Sequence, residues 1–273
     1  MSGGHGRGLT RRALLTSSAA MAASLVAACT GRPPGEESSP TDAGRSADAD
    51  NAGPARLRAR PGTPDAPDRP VGLLPLGLGP ERDGLLFVPA RAEAGGPLPL
   101  VVMLHGAGGE ARGGLAPFLD RADDAGLILL APESRGRTWD VLLGGYGPDV
   151  AFVDRALEHT FRRYPVDADR IAVEGFSDGA SYALGLGLGN GDLLRRIVAF
   201  SPGFVPRFTA VGRPSVFISH GTNDDVLPID RCSRRIVPAL RGRDYEVRYR
   251  EFEGGHGVPA EIAEEALTAI VGG

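Results

Sequence analysis

The chain has no lysine: its 30 basic residues are all arginine, set against 34 acidic ones, for a formal net charge of -4. A glycine-rich phosphate-binding loop ends on a lysine, so none can be drawn here. An acidic chain without a basic stripe is also a poor ligand for nucleic acid, and no such partner is expected. Cysteine is nearly absent, with only Cys29 and Cys232 among 273 residues. Two cysteines build no disulfide framework, and no Cys/His cluster has the spacing of metal ligands. No metal and no other cofactor is expected.

The amino terminus is short of charge after its first dozen residues. Thr10-Arg11-Arg12-Ala-Leu-Leu15 is a twin-arginine pattern, followed by the small apolar stretch Ala19 to Ala28. That stretch is too short and too rich in alanine for a membrane-spanning helix, and it fits a cleaved leader. It ends Leu25-Val-Ala-Ala-Cys29, which is similar to the bacterial lipobox, in which the cysteine is lipidated and becomes the first residue. Residues 1–28 are therefore read as a signal peptide and Cys29 as the lipidation site. The alternative is an ordinary signal peptide with a chance cysteine, and export through the general secretory route also stays open. The expected location is outside the cytoplasm, on the outer face of the bacterial cell membrane. Cys232 is then left with no second cysteine for an intrachain disulfide and reads as a small, semi-buried residue of a helix from about Ile229 to Arg241.

Residues 29–70 are poor in apolar side chains and rich in Pro, Gly, Ser, Ala, Asp and Arg. Such a composition buries too little surface to offset the entropy of ordering, so it is read as a disordered tether. Residues 71–273 are the expected catalytic domain, of a size for one hydrophobic core.

Within that domain, Gly175-Phe-Ser177-Asp-Gly179 lies between an apolar strand, Arg170–Glu174, and a helical run, Ser177–Leu188. A serine on a sharp strand-to-helix turn presents its hydroxyl at the carboxyl edge of a sheet. The flanking glycines remove Cβ atoms that the turn cannot hold. The new helix aims its first N–H groups, and the positive end of its dipole, at the place where an oxyanion forms. A serine needs a base and the base an orienting acid. Downstream of Ser177 the only histidines are His220 and His256. Asp224 and His256 each fall in a loop after a strand, at the same sheet edge as Ser177. The assignment is Ser177 as nucleophile, His256 as general base and acid, and Asp224 as its orienter. Asp225 is the alternative acid. His220 reads better as a strand-end residue bonding the turn than as the base. Ser201 and Ser219 lack flanking glycines. His159 reads as a solvated helix residue, and His5 lies in the leader.

The strand Leu98–Leu104 leads into His105-Gly-Ala-Gly-Gly109, whose glycines let backbone N–H groups approach a substrate carbonyl. The N–H groups of Ala107 and Asp178 are the expected oxyanion donors, with Gly108 the alternative to Ala107. The Asp178 carboxylate is expected to turn away and cap the helix. His105 is expected to brace its loop.

Taken together, His105-Gly-Ala-Gly-Gly109, Gly175-Phe-Ser-Asp-Gly-Ala180, His220-Gly-Thr-Asn-Asp224 and Gly254-Gly-His256 resemble the phospholipase/carboxylesterase branch of the α/β hydrolases. The nearer likeness is to bacterial secreted proteins described as polyhydroxybutyrate depolymerase-like or feruloyl esterase-like. It covers roughly residues 71–271, and Pro132–Asp140 and Ala199–Gly203 share it. The resemblance implies ester hydrolysis through Ser177, Asp224 and His256 and leaves the substrate open. Asp178 departs from the uncharged residue that acyl-protein thioesterases of the branch carry at this position.

The order of elements predicts an α/β fold, a mostly parallel doubly wound sheet opened by an antiparallel pair, Val71–Leu78 and Gly84–Pro89. Only residues 203–214 join the strands at Ile197 and Ser215, which leaves no room for a large lid. Trp139 and Tyr146, after the fourth strand, and Phe204 are candidate walls of a substrate pocket. The function expected is a serine carboxylic-ester hydrolase acting on a small ester or an ester polymer. The alternatives are a thioesterase or small peptidase on the same fold, or a non-catalytic binding protein.

Overall fold

The computed structural model describes residues 55–272. The leader, Cys29 and the tether up to residue 54 lie outside the described residues. Eight strands form one sheet: β1 (Gly72–Pro75), β2 (Gly84–Val88), β3 (Leu98–Leu104), β4 (Ile128–Pro132), β5 (Val166–Phe176), β6 (Arg196–Phe200), β7 (Ser215–Gly221) and β8 (Val247–Phe252). Their spatial order is β1-β2-β4-β3-β5-β6-β7-β8. β1 and β2 pair antiparallel, β2 runs antiparallel to β4, and every later pairing is parallel.

The inner strands are apolar on both faces because helices cover both. In β3, Leu100, Val102 and Leu104 face one layer, and Val101 and Met103 face the other. The first layer is built by α3 (Pro148–Arg163), α4 (Asp178–Gly189) and α5 (Ser233–Arg241), through side chains such as Phe152, Leu157, Tyr182, Leu186 and Ile236. The second is built by α1 (Ala111–Leu115), α2 (Leu119–Ala125) and α6 (Ala260–Val271), through Leu115, Ala122, Ile262 and Ala266. α3 shows why its sequence is helical. Pro148 sits in the first turn, apolar residues recur at 150, 153, 157 and 161, and Arg162 and Arg163 stand in the last turn, where the helix dipole favours cations. α4 is buried along its whole length, and a Cβ on Gly187 would meet Ile197 and Val173 of the sheet below it.

β4 lies to one side of β3 and β5 to the other, so the chain reverses direction across the sheet between β3 and β5. Ligands of open α/β sheets bind at the carboxyl ends of strands at such a switch point. The loop after β3 and the turn after β5 meet there. Residues 202–214, between β6 and β7, hold no regular element.

Residues 55–70, read from the sequence as the end of a disordered tether, lie ordered against the domain. Leu57 is buried, and its N–H donates to Asn190 Oδ1 at 2.8 Å. Arg58 and Ala59 N–H both donate to Asp154 Oδ1, and Arg56 holds Asp192 with two parallel bonds of 2.9 and 3.0 Å. The Tyr164 hydroxyl donates to Pro70 O at 2.6 Å. Composition misleads here because the partners of this strap are distant: one face of α3 and the buried end of α4.

Candidate active site

Ser177 stands between β5 and α4 with φ 57 and ψ -117, a left-handed backbone that a non-glycine residue adopts only under constraint. Two contacts impose it. Ser177 N–H donates to Phe200 O of β6 at 2.9 Å, and Ser181 N–H donates to Ser177 O at 3.1 Å to start the helix. A Cβ on Gly175 would strike the backbone of Gly179, and one on Gly179 would strike Leu104 O. The turn therefore closes only with glycine at both places.

His256, in the loop after β8, brings Nε2 to 2.9 Å from Ser177 Oγ. Its Nδ1 lies 2.6 Å from Asp224 Oδ2, in the loop after β7. The Phe176 ring packs on the imidazole with centroids 4.7 Å apart. Asp224 is buried, whereas Asp225 is exposed. The Asp224 carboxylate takes the N–H groups of Val226 and Leu227 on Oδ1, at 3.0 and 2.8 Å, which leaves Oδ2 for the histidine. His220 is wholly buried and supports this loop. Its Nε2 lies 2.7 Å from Leu227 O and 3.2 Å from Asp224 Oδ2, and its Nδ1 lies 2.7 Å from Ser233 Oγ. A proton on Nε2 satisfies both oxygens, with Nδ1 accepting from the Ser233 hydroxyl. Burial pushes the His220 pKa down, which favours that neutral form.

The loop after β3 abuts Ser177: a Cβ on Gly106 would stand 3.3 Å from the Phe176 ring and 3.5 Å from Ser177 Cβ. Gly108 N–H is committed to Arg137 O at 2.6 Å, which leaves the exposed Ala107 as the donor this loop can offer. Asp178 is the first residue of α4, so its N–H has no acceptor within the helix. His105 is buried and braces the loop, with Nδ1 at 2.7 Å from Gly106 O and Nε2 accepting Ser134 N–H at 3.1 Å. Burial lowers its pKa and keeps it neutral, as a donor at one nitrogen and an acceptor at the other.

Asp178, Trp139 and Cys232 take positions that the sequence does not foretell. The Asp178 carboxylate does not cap α4; Oδ2 accepts the Thr138 hydroxyl at 2.6 Å, and burial raises its pKa. Trp139 is not a pocket wall. It is fully buried, stacked on Tyr182 with centroids 4.9 Å apart, and its Nε1–H donates to His105 O at 2.8 Å. Tyr146 is half-buried against Tyr182, with its hydroxyl over Gly185, while Phe204 is exposed. Cys232 is buried at the start of α5 rather than within it.

Two supports escaped the sequence reading. Arg82, before β2, donates to Gly109 O at 2.9 Å and so clamps the loop that carries Ala107. Ser181 receives Gly203 N–H at 3.0 Å and so ties the loop after β6 to α4, the helix that follows Ser177. Neither belongs to a motif; an arginine on an exposed loop and a helical serine carry no local signal of such contacts.

Residues 151–269 match the phospholipase/carboxylesterase family, a span that contains Ser177, Asp224 and His256. No curated protein matches the sequence. Among solved structures, esterase PE8 is 24% identical and superposes with a TM-score of 0.56, over 68% of this chain and 96% of its own. The S-formylglutathione hydrolase FrmB of Staphylococcus aureus is 14% identical with a TM-score of 0.58, over 73% of this chain and 97% of its own. A ferulic acid esterase of Anaeromyces mucronatus is 19% identical with a TM-score of 0.50, over 70% and 84%. The structural likenesses carry the fold, and the family match carries the class. The α/β-hydrolase fold and the esterase assignment expected from the motifs are both borne out.

Proposed function

We propose that this α/β hydrolase of the esterase class cleaves carboxylic esters through an acyl-enzyme on Ser177. The observation that carries the reading is the run of short contacts from Asp224 Oδ2 through His256 to Ser177 Oγ, at 2.6 and 2.9 Å. His256 Nε2 accepts the serine proton as Oγ attacks the ester carbonyl, while Nδ1–H donates to Asp224 and the carboxylate steadies the imidazolium. The oxyanion takes the N–H groups of Ala107 and Asp178, at the positive end of α4. His256 then gives its proton to the departing alkoxide. In the second half it takes a proton from the water that attacks the acyl-serine and returns it to Ser177 Oγ as the carboxylic acid leaves.

The leader pattern and Cys29 add a place to this chemistry: a lipid-anchored enzyme outside the cytoplasm. Replacing Cys29 with serine is expected to release the chain from the membrane fraction; unchanged partition would remove the anchor from the proposal.

The test of the reaction is hydrolysis of p-nitrophenyl acetate and butyrate by the wild type and by Ser177→Ala. Activity in the first and none in the second, with a fluorophosphonate labelling the wild type by phosphonylation of Ser177 Oγ and loss of fluoride but not labelling Ser177→Ala, is the expected result. Equal rates in both would overturn Ser177 as nucleophile. A strong preference for thioesters over oxygen esters would move the reading to the thioesterase alternative.

A further inference from the structure

Asp178 carries two groups with opposite effects on an oxyanion. Its N–H is the donor that α4 offers, while its carboxylate has the charge that an oxyanion repels. A carboxylate in the first turn of a helix is also drawn to the free N–H groups there, where it competes for them. Asp178 is buried, so little water screens either effect. Its carboxylate needs another place to go, and Thr138 supplies one. The Thr138 hydroxyl donates to Asp178 Oδ2 at 2.6 Å, the separation of a hydroxyl bonded to a charged carboxylate.

Thr138 reaches Asp178 from a distance. It lies 40 residues earlier, on the loop after β4, and β3 stands between β4 and β5. Two inter-strand steps span about 10 Å. The residues on either side of Thr138 are fastened along the way. Arg137 O accepts Gly108 N–H at 2.6 Å, and Trp139 Nε1–H donates to His105 O at 2.8 Å. Both partners belong to the loop that carries Ala107. The Trp139 ring is in turn stacked on Tyr182 of α4, with centroids 4.9 Å apart. Three consecutive residues thus bind both sides of the expected oxyanion site: 137 and 139 hold the Ala107 loop, and 138 holds the Asp178 side chain.

Building on the acyl-enzyme reading, we propose that Thr138 is a positioning residue of the oxyanion hole, whose hydroxyl holds the Asp178 carboxylate off the start of α4 and leaves Asp178 N–H free for the substrate oxygen. Thr138 touches no reacting atom and moves no proton of the substrate. What it supplies is one donor at a fixed place, so serine can replace it, whereas valine has its shape and no donor. The oxyanion forms only after attack on the carbonyl, so the contribution falls on kcat and not on KM.

The experiment measures p-nitrophenyl butyrate hydrolysis by the wild type, Thr138→Val, Thr138→Ser, Asp178→Ala and Thr138→Val/Asp178→Ala. In Thr138→Val, kcat is expected to fall about tenfold or more, short of the ~10²–10³ for outright loss of a donor. KM should stay within about twofold, and Thr138→Ser should keep most of the wild-type rate. Inhibition by a butyl trifluoromethyl ketone, which forms an oxyanion adduct on a serine, should weaken in Thr138→Val by the same factor as kcat. The decisive comparison is the double variant. With the carboxylate gone the hydroxyl has nothing to hold, so adding Thr138→Val to Asp178→Ala should cost less than about twofold. The same cycle run with Thr138→Ala guards against a valine that disturbs the fold. An equal loss in both backgrounds, or a rise in KM with kcat unchanged, overturns the proposal and leaves Thr138 a packing residue. A wild type inactive on the ester, or Ser177→Ala as active as wild type, would instead strike the acyl-enzyme reading, so the two failures are told apart.

Discussion

Asp224 divides its carboxylate between two tasks: Oδ1 is held by the N–H groups of Val226 and Leu227, and Oδ2 faces His256 Nδ1 at 2.6 Å. The first pair fixes the carboxylate plane, so the second contact needs no reorganisation when the imidazole charges. Asp225, next in the chain, is exposed and cannot substitute without unwinding this turn. Asp224→Asn keeps the size but presents an amide where an acceptor is required, which favours the wrong histidine tautomer. A fall in kcat on the order of 10⁴ is expected for Asp224→Asn, with Asp225→Asn within about twofold of wild type, as for an ordinary surface change. Steady-state kinetics on p-nitrophenyl butyrate reads both, and the reverse ranking would assign the acid to Asp225.

The two buried histidines that flank the site predict an acid limit to stability. Burial lowers the pKa of both His105 and His220 in the folded chain. A base with a lowered folded pKa binds its proton more readily when unfolded. Its contribution is therefore present above the unfolded value, about 6.5, and is lost as pH falls through and below it. Thermal unfolding should move to lower temperature between pH 7.5 and pH 5.5, and by a smaller amount in His220→Gln, where one of the two proton sites is gone. An equal shift in the variant would mean that His220 is not part of the linkage. The glutamine amide still carries N–H donors but lacks the ring that sets Nε2 between Leu227 O and Asp224 Oδ2, so kcat should drop modestly with little change in KM.

The turn at Ser177 was legible because it is a steric object: Gly175 and Gly179 are needed whatever surrounds them, and a strand and a helix flank them in the sequence. The sheet was legible because its strands alternate with helices at ordinary spacing, down to β3 at Leu98–Leu104. What escaped depends on partners far along the chain. Trp139 on a loop at the catalytic edge reads the same whether it points outward or inward, and Tyr182 decides the matter. Asp178 had a local use as a helix cap, and the Thr138 hydroxyl outcompeted it. That Asp224 rather than Asp225 faces His256 depends on the N–H groups of residues 226 and 227, which hold the Asp224 carboxylate and which no local pattern shows.

The strap formed by residues 55–70 predicts that a chain cut at residue 71 is measurably less stable than one cut at residue 55. The shorter form loses the burial of Leu57 and leaves the buried Asn190 amide without Leu57 N–H and Ala55 O. Removing a buried leucine side chain costs about 2–5 kcal/mol, and an unsatisfied buried polar group about 1–3 kcal/mol more. Urea unfolding of the two forms checks this, and coincident midpoints would show that the strap adds nothing to the domain.

Glu174 predicts a substitution that stabilises. It is fully buried three residues before Ser177, and neither carboxyl oxygen has a hydrogen-bond partner. Its side chain shares the sheet face of Ala172 and Val198, a wholly apolar layer closed by α6. Burial drives its pKa well above the ordinary carboxylate range. The sign of the linkage follows. For an acid whose folded pKa is raised, stability is complete below the unfolded value, about 4.3, and is lost as pH rises from there through the folded value. At neutral pH the unfolded chain ionises the group freely, and the native state bears the cost. Glu174→Leu removes the titration and both unsatisfied oxygens while filling a similar volume. A gain of about 1–3 kcal/mol is expected at pH 7.5, shrinking toward pH 4.5, with ester hydrolysis retained because Glu174 contacts none of the reacting groups. Urea midpoints of both proteins at the two pH values provide the test. A loss of stability at pH 7.5 would mean that the carboxyl has a partner worth more than its burial costs.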